Sequence, residues 1–404
     1  MGLNQTPSAN RIHIGIFGRR NAGKSSVINA ITGQKLAIVS DIKGTTTDPV
    51  HKSMELLPLG PVVLIDTPGL DDDGALGEMR IEKAMRVLDK VDIALLILDA
   101  TQEKSPTDTK LINVCIEKEI PYLLVWNKCD LLSEYENLED NEIYVSAKDQ
   151  LYIEELKEKI ASIMPVRDSK HRIIADMISP MDVVILVVPI DSGAPKGRLI
   201  LPQQQTIREL LEAGAITVVI QEPQLRETLK TLERKPRMII TDSQIFAKVA
   251  AETPSDISLT SFSILFARYK GFLDASVYGA EALDTLDDDD PVLICEGCTH
   301  HRQCNDIGTV KLPAWIRRHA GSEPKFEFVA GNEFPDDLSR YKLIVHCGGC
   351  MLGEREMSHR QRSALQQQVP ISNYGVSIAH MEGILKRCTT MFSSPDKSES
   401  GSPT

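Results

Sequence analysis

Short apolar runs and amphipathic stretches alternate along the first part of the chain. Five apolar runs suit buried strands, at residues 12–17, 62–65, 93–98, 122–126 and 143–145. Amphipathic stretches at 79–88 and 153–163 predict helices, and Pro165 ends the second of them. This alternation is typical of a parallel sheet wrapped in helices, so residues 1–167 are predicted to form one α/β domain.

Two further alternating blocks follow a short polar linker around residues 168–172. Strands are predicted at 183–188, 216–220, 238–240, 292–295, 326–329, 343–345 and 371–373, with helices at 205–211, 225–232, 314–320 and 355–367. We predict a packing or subunit-contact domain over 168–268 and a third α/β domain over 269–392. The sequence leaves open whether the two blocks are separate modules. Residues 393–404 are rich in Ser, Pro and charge, which predicts a disordered tail.

Composition narrows the class of protein. A 404-residue chain with 42% hydrophobic and 25% charged residues predicts a soluble protein of two or three domains. No apolar run reaches the ~18–20 residues that span a bilayer, and the first residues lack an export signal, so we expect a cytoplasmic protein without a membrane partner. The net charge of −12 disfavours a large nucleic-acid interface, which needs a basic face.

The segment GRRNAGKS at residues 18–25 fits a phosphate-binding loop between a strand and a helix. Its glycines let backbone N–H groups turn toward the β-phosphate, and the helix N-terminus adds positive potential. Lys24 is predicted to reach the β- and γ-phosphates, and Ser25 to ligate Mg²⁺. A glycine-rich turn that binds nothing fits this one motif equally well, so the interpretation depends on further motifs.

Three further motifs follow in the order that a GTPase requires. Asp66 of the DTPG segment is placed to hold Mg²⁺ through water, and the Gly69 N–H to sense the γ-phosphate. Asp130 of the NKCD segment can accept two hydrogen bonds from guanine N1 and N2, which adenine does not offer. The segment SAK adds a backbone N–H for guanine O6. The sequence therefore predicts GTP contacts at Gly18, Asn21, Ala22, Gly23, Lys24, Ser25, Ser26, Asp66, Gly69, Asn127, Lys128, Asp130, Ser146, Ala147 and Lys148.

These motifs, over residues 11–165, resemble the TrmE–Era branch of the translation-factor-like GTPases. The resemblance implies that GTTTD at 44–48 is switch I, with Thr46 as a third Mg²⁺ ligand beside Ser25 and Asp66. One departure from Ras-like proteins is Leu70, which stands where they carry a water-positioning glutamine. No arginine finger within the chain is evident.

Potassium-dependent members of this branch hold a monovalent cation with an asparagine of the phosphate-binding loop, and Asn21 matches that position. The resemblance therefore implies K⁺ bound by Asn21 and by switch I carbonyls near Ser40 and Ile42, offsetting developing negative charge. A side chain that only stabilises the loop is the alternative for Asn21. We expect a K⁺-activated, Mg²⁺-dependent GTPase that releases GDP, with Lys24, Asn21, Thr46 and Gly69 as its catalytic groups.

Cysteine and histidine cluster in the third block. Five of the eight cysteines lie between residues 295 and 350, namely Cys295, Cys298, Cys304, Cys347 and Cys350. The segments CTH at 298–300 and HCGGC at 346–350 each follow a predicted strand, where α/β sheets gather ligands. If the two strands are neighbours, three thiolates converge at one sheet edge. The glycines of the second segment permit a tight turn whose N–H groups can stabilise cluster sulfur.

Three thiolates leave the fourth position of a 4Fe–4S cluster open. His300, His346, a carboxylate such as Glu354 or an exchangeable ligand can fill it. Cys295 and Cys298 also read as CxxC, which with CGGC would give a four-cysteine zinc site. Their odd spacing places them on opposite faces of an extended strand, so Cys295 is favoured as a core thiol.

CTH and HCGGC behind a TrmE–Era-like GTPase resemble the HydF-type maturation GTPases of iron–iron hydrogenases, over essentially the whole chain. The resemblance implies a GTPase domain, a dimerisation domain and a cluster-binding domain. It implies that Cys298, Cys347 and Cys350 hold a 4Fe–4S cluster, with His300 and His346 as candidate fourth ligands. It further implies a homodimeric scaffold that receives a di-iron precursor, with radical-SAM maturases and apo-hydrogenase as partners.

The alternative is a translation- or RNA-associated GTPase of the same branch with a structural zinc site. The acidic net charge of −12 argues against it. Metal that only stabilises the fold is a third alternative.

Overall fold

The structure is a computed structural model, and it describes residues 8–33, 50–70, 75–135, 137–164, 172–190, 199–297, 306–331 and 333–392. The chain divides into two compact units, residues 1–168 and 169–404. The predicted linker at 168–172, apart from Arg172, and the predicted tail at 393–404 lie outside the described residues, as does Pro165. In the described part of the chain, no helix combines the length and the apolar character that crossing a bilayer requires.

The first unit is one sheet with helices on its two faces. Its strands are β1 (Ile12–Gly18), β2 (Val50–Leu56), β3 (Gly60–Asp66), β4 (Ile93–Asp99), β5 (Tyr122–Asn127) and β6 (Glu142–Val145). Its helices are α1 (Lys24–Thr32), α2 (Ala75–Leu88), α3 (Pro106–Glu117) and α4 (Ile153–Ser162). The strand order is β2-β3-β1-β4-β5-β6, in which only β2 runs antiparallel.

Burial on both faces explains why the strands of this sheet read as continuous apolar runs. Every residue of β4 is buried, and separate apolar cores lie on the two faces of the sheet. Parallel pairing then brings the carboxyl ends of β1, β3, β4 and β5 to one edge. Three of the nucleotide motifs begin at the ends of β1, β3 and β5, and the fourth follows the end of β6, which pairs in parallel with β5, so all four lie at this edge.

The second unit contains two sheets of four parallel strands. The first, in the order β10-β9-β7-β8, and the second, in the order β12-β11-β13-β14, carry helices on their faces. The strands are β7 (Val183–Val187), β8 (Ile216–Ile220), β9 (Met238–Thr241), β10 (Ser258–Ser261), β11 (Pro291–Glu296), β12 (Lys325–Ala330), β13 (Leu343–His346) and β14 (Ile371–Asn373). The helices are α5 (Leu201–Glu212), α6 (Leu225–Thr231), α7 (Phe246–Glu252), α8 (Phe262–Tyr269), α9 (Leu273–Ala280), α10 (Leu312–Ala320), α11 (Glu354–Gln366), α12 (Tyr374–Met381) and α13 (Leu385–Thr389).

The two sheets of the second unit share one apolar core. Ile185 and Ile239 of the first sheet belong to the same buried cluster as Ile294 and Val345 of the second. This continuity answers the question that the sequence left open, because the second and third blocks pack as one compact unit. The predicted boundary at residue 268 falls within α8, and the three domain boundaries remain predictions.

All strands and helices predicted from the apolar pattern are present, with ends that differ by a few residues. The pattern did not predict β2 or β10. Strand β2 lies at the edge of its sheet and is largely exposed, so its polar residues give no apolar run. Strand β10 has four residues, of which three are Ser or Thr, although it is almost entirely buried.

Candidate functional site

The phosphate-binding loop has the backbone shape that its glycines predict. Gly18 has φ +145° and Gly23 has φ +92°, and side chains at either position would collide with neighbouring atoms. The Lys24 Nζ donates to the carbonyl oxygens of Gly18 and Arg19, at 2.9 and 2.8 Å. The ammonium group is therefore held inside the loop, where a phosphate would meet it.

Asp66 and Gly69 lie beside this loop. Burial raises the pKa of the Asp66 carboxyl above its ordinary value, and the charge of Lys24 opposes that rise. Its Oδ1 atom is buried and has no hydrogen-bond partner among the described residues, which is the condition expected of a group that waits for a cation or its water. A Cβ at Gly69 would lie 3.1 Å from the Arg20 backbone, so this segment passes close to the loop.

Asn127 connects the phosphate side of the site with the base side. Its Nδ2 donates to the Ala22 carbonyl at 3.0 Å, and its Oδ1 accepts from the Ala147 N–H at 3.1 Å. The side chain is buried, so both bonds are protected from water. The phosphate-binding loop and the base-side loop are thereby held at a fixed separation.

The base-side residues are oriented by hydrogen bonds of their own. The Ser146 hydroxyl donates to Asp130 Oδ1 at 2.7 Å, which aims the carboxylate that the sequence predicts for guanine. Lys128 adopts φ +68°, and its Nζ pairs with Asp99 Oδ2 at 2.6 Å. Asp99 ends β4 and was not singled out from the sequence, although its place at a strand end was a usable signal.

The structure describes Asn21 and Leu70 of the predicted nucleotide site, but not the predicted residues of switch I. Asn21 has φ +61° and is exposed, and its side chain makes no hydrogen bond in the described part of the chain. Leu70 is buried in the core on one face of the sheet, so it does not reach toward the nucleotide. Ser40, Ile42 and Thr46 lie outside the described residues, so switch I remains a prediction.

The strands that precede the two cysteine segments are neighbours, as the sulfur interpretation requires. Strands β11 and β13 pair in parallel, with Cys295 opposite His346. Cys347 follows β13 directly, and its Sγ accepts hydrogen bonds from the Gly297 N–H at 3.0 Å and the Gly349 N–H at 3.4 Å. Backbone N–H groups aimed at a sulfur atom stabilise a thiolate.

The HCGGC segment forms a tight turn between β13 and α11. Gly349 has φ +61°, and a Cβ there would lie 2.6 Å from the sulfur of Met357, so glycine is required. Burial raises the pKa of Cys350 to about 12 and also raises the pKa of Cys347. Both groups are therefore neutral thiols at pH 7 unless a metal displaces their protons.

Cys298, His300 and Cys304 lie outside the described residues. Gly297, which precedes Cys298 in the sequence, contacts the turn, since a Cβ there would lie 3.4 Å from the Gly349 Cα. Cys295 is fully buried in an apolar core with Leu293 and Ile344, as expected of a core thiol. Glu354 is exposed at the start of α11.

His346 is fully buried, and both of its ring nitrogens have partners. Arg360 Nη1 lies 3.0 Å from Nε2 and can only donate, so Nδ1 carries the proton and donates to the Cys347 carbonyl at 2.8 Å. Burial and the Arg360 charge lower the pKa of His346 to about 3, so the ring is neutral. Arg360 is itself buried and pairs with Glu356 at 2.7 Å and with the Gly331 carbonyl at 2.6 Å.

Two further polar groups lie near the thiols. Lys270 is buried after α8, donates to the Leu352 carbonyl at 3.0 Å, and lowers the pKa of Cys350 by its charge, against the larger effect of burial. The Tyr374 hydroxyl is buried without a hydrogen-bond partner among the described residues. Burial raises the pKa of Tyr374 well above its ordinary value, so the phenol is neutral and its O–H can donate a hydrogen bond.

Sequence reasoning did not identify Glu356, Arg360, Lys270 or Tyr374. The i,i+4 spacing of Glu356 and Arg360 on a polar helix is the pattern of an exposed ion pair, so it carried no signal of burial. Lys270 lies 80 positions before Cys350 in the sequence, and only the packing of the unit brings the two together.

Three family models match this chain over consecutive segments. Residues 173–271 match the hydrogen maturase F dimerization domain, and residues 274–391 match the hydrogen maturase F tetramerization domain. Residues 13–128 match a family described as 50S ribosome-binding GTPase. The two hydrogen maturase models together account for nearly all of the second unit. The chain belongs to the HydF family of hydrogenase maturases.

Curated relatives of this HydF-type chain include GTPases that it matches over part of its length. GTPase Der of Wolinella succinogenes is 33% identical over 177 residues, covering 40% of this chain and 37% of the relative. The tRNA modification GTPase MnmE of Xanthomonas euvesicatoria is 36% identical over 153 residues, covering 38% of this chain and 34% of the relative. The chain thus spans about a third of the length of these relatives.

Solved structures of GTPases also match this HydF-type chain. Era of Aquifex aeolicus, bound to GDP and aluminium fluoride, has a TM-score of 0.34 at 20% identity and covers 55% of this chain and 98% of its own. A probable GTP-binding protein engB has a TM-score of 0.32 at 22% identity and covers 38% of this chain and 98% of its own.

Replacing Asn127 with Ala is expected to separate the two halves of the nucleotide site. The loss of two buried hydrogen bonds costs about 1–3 kcal/mol, which corresponds to about 5- to 150-fold weaker GTP binding. Asn127→Asp, which keeps the acceptor and loses the donor, should have an intermediate affinity. Titration with a fluorescent GTP analogue measures the nucleotide affinity of both variants. Wild-type affinity in Asn127→Ala would show that the loops are held apart by other contacts.

Replacing Arg360 with Met is expected to destabilise the second unit by about 3–5 kcal/mol, because it leaves the buried Glu356 carboxylate without its partner. Arg340→Met is the matched control, since Arg340 pairs with Glu327 while 60% exposed, and its loss should cost far less stability than the loss of Arg360. Urea unfolding followed by circular dichroism measures both values. Equal costs would contradict the importance of the buried pair.

Proposed function

We propose that this chain is a GTP hydrolase that serves hydrogenase maturation. The nucleotide contacts are those predicted from the sequence, with Mg²⁺ held by Ser25, Thr46 and, through water, Asp66. The orphaned and buried Oδ1 of Asp66 beside Lys24 supports this assignment. Lys24 neutralises the β- and γ-phosphates, Gly69 donates its N–H to the γ-phosphate, and Asp130 accepts from guanine.

Position 70 carries leucine and not a water-positioning glutamine. Another group must therefore stabilise the negative charge that develops on the phosphates during hydrolysis. We assign this task to K⁺ held by Asn21 with carbonyls near Ser40 and Ile42, which supplies positive charge when bound. The exposed Asn21 side chain, free of hydrogen bonds within the described residues, supports this role over loop stabilisation.

The same chain is proposed to hold a 4Fe–4S cluster through Cys298, Cys347 and Cys350. The observation that carries this proposal is the pair of backbone N–H groups aimed at Cys347 Sγ, at the edge where β11 and β13 end together. The charge of Lys270, which lowers the pKa of Cys350, adds a positive group to the same region. N–H donors around sulfur suit an anionic iron–sulfur centre.

The fourth coordination position is proposed to belong to His300 or to an exchangeable ligand. His346 could ligate iron only by giving up its hydrogen bond from Arg360 or its own bond to the Cys347 carbonyl. Its role is instead to fix the start of the HCGGC turn. An open position at the cluster would suit a carrier that accepts and releases a di-iron precursor.

The biological role proposed on these grounds is scaffold and carrier. The partners would be radical-SAM maturases and apo-hydrogenase in the cytoplasm, with the chain acting as a homodimer and without nucleic acid. The match to dimerisation and tetramerization domains supports self-association. GTP hydrolysis would control partner release or domain arrangement, while the metal chemistry stays with the partners.

The cluster assignment is tested by anaerobic reconstitution of the full chain with iron and sulfide. Wild type should take up about four irons and four sulfides per chain, as a 4Fe–4S cluster requires. Cys347→Ala should lose most of both, because the sulfur that receives the two N–H groups is gone. Cys388→Ala is the matched control, since Cys388 is a buried core thiol in the same unit.

Metal and sulfide analysis measures the iron and sulfide bound per chain. Activation of apo-hydrogenase is the second readout. Zinc bound at the cysteines, present in wild type and lost in Cys347→Ala, together with no iron uptake on reconstitution, would overturn the cluster and favour the RNA-associated alternative. Full uptake of iron by Cys347→Ala would remove that thiolate from the site.

The potassium assignment predicts faster GTP turnover in K⁺ than in Na⁺ at equal ionic strength. Asn21→Ala should lose this difference and slow turnover in K⁺ by about 10-fold or more, while its GTP affinity is retained. Phosphate release measured in the two salts, with nucleotide binding as the control, decides the matter. Equal rates of the wild type in both salts would contradict the assignment.

A further inference from the structure

A second group of metal-ligating side chains lies in the same unit, away from the thiols. Asp284, His319 and His380 each offer a ligand atom, and these atoms lie within 4.8 Å of one another. Both Nε2 atoms converge on the same carboxylate, at 2.7 Å for His319 and 3.0 Å for His380. The histidines are about a fifth to a quarter exposed and Asp284 is 53% exposed, so the group opens to solvent.

Three separate elements bring these residues together. Asp284 lies in a short 3-10 helix, Glu281–Thr285, that precedes β11. His319 and His380 lie in the last turns of α10 and α12. The carboxyl end of a helix carries negative potential, so both imidazoles project from ends that favour a cation.

The charge on Asp284 also favours a bound cation. A hydrogen bond from His319 lowers the pKa of Asp284 below its ordinary value, with a further contribution from His380, so the carboxylate is charged at neutral pH. The two rings approach edge to face, with centroids 5.7 Å apart at 65°. Two imidazoles and one carboxylate form a ligand set suited to zinc and other first-row divalent ions.

We propose that Asp284, His319 and His380 form a binding site for a divalent transition-metal ion, with Zn²⁺ as its typical occupant. With ligand bonds of about 2.0–2.1 Å, tetrahedral coordination places neighbouring ligand atoms about 3.3 Å apart. The observed separations of 2.7 and 3.0 Å from the carboxylate need to open by about 0.6 and 0.3 Å to reach that value. Three protein ligands leave one position for water.

The site is distinct from the thiols because it lies at the other edge of the sheet. The HCGGC turn follows the carboxyl end of β13, whereas Asp284 precedes the amino end of β11. Helices α10 and α12 run back from the carboxyl edge, so their last turns reach the amino edge with His319 and His380. The six residues of β11 separate the two edges by roughly 20 Å, at about 3.3 Å per residue.

Zinc uptake by the full chain tests the site, and paired substitutions separate it from the thiols. Wild type should bind one more Zn²⁺ per chain than His319→Gln/His380→Gln, in which amides replace both imidazoles. Cys347→Ala/Cys350→Ala should likewise bind one more Zn²⁺ per chain than the variant that carries both cysteine and both histidine substitutions. Equilibrium dialysis with metal analysis measures these numbers, and GTP binding together with circular dichroism checks that each variant folds.

Asp284→Asn and Asp289→Asn form the matched pair of carboxylate variants. Asp284→Asn should weaken zinc binding by at least about 100-fold, because loss of a direct ligand exceeds the usual effect of a supporting residue. Asp289→Asn removes an exposed carboxylate that pairs with Lys325 at 2.8 Å in the same unit, and it should keep wild-type affinity. If the double histidine variant does not fold, Asp284→Asn tests the site in its place.

Co²⁺ added to Cys347→Ala/Cys350→Ala gives an independent readout. A site of nitrogen and oxygen ligands should show visible d–d bands without the near-ultraviolet thiolate-to-cobalt transition. Those bands should vanish in the variant that also lacks His319 and His380. Equal zinc uptake with and without the histidines, or cobalt bands that persist without them, would leave only a hydrogen-bonded His–Asp–His group and overturn the proposal.

Discussion

The parallel pairing of strands is the constraint on which both candidate sites depend. In a parallel sheet every strand ends at the same edge, so residues far apart in the sequence meet there. In the first unit this brings the phosphate-binding loop, Asp66 and Asn127 together. In the second it sets Gly297, at the end of β11, against the turn that follows β13. The amino edge of that second sheet gathers a different set, the two histidines and Asp284.

Burial decides the chemistry of the sulfur-containing edge. Desolvation keeps Cys347 and Cys350 protonated, while N–H groups at 3.0 and 3.4 Å are already aimed at one sulfur. The environment is therefore poor for free thiolates and suited to thiolates neutralised by a metal. The neighbouring charge on Arg360 is offset by Glu356, and this pair holds His346 as a neutral hydrogen-bonded ring. Removing one partner of such a buried ion pair lowers the free energy of unfolding by more than the intact pair contributes to it.

The division of the chain into two units parallels the division of its similarities. The GTPase region resembles proteins that act on tRNA or belong to the Der type, at about a third identity. The second unit matches the hydrogen maturase models over residues 173–271 and 274–391, and it contains the thiols, Lys270, Tyr374 and the His–Asp–His group. What sets this chain apart from other GTPases of its branch therefore lies in the unit whose two sheets share one core.

The sequence by itself was enough to predict the nucleotide site, because each motif acts through residues adjacent in the chain and next to an apolar strand. Apolar runs likewise determined most strands, since burial on both faces leaves no polar positions. Edge strand β2 and the short polar strand β10 gave no such run. Only the tertiary structure decided that Arg360 is buried, that Lys270 approaches Cys350, and that two helix ends bring His319 and His380 to Asp284. These contacts join residues up to about a hundred positions apart, and no local pattern records a distance that depends on how whole elements pack.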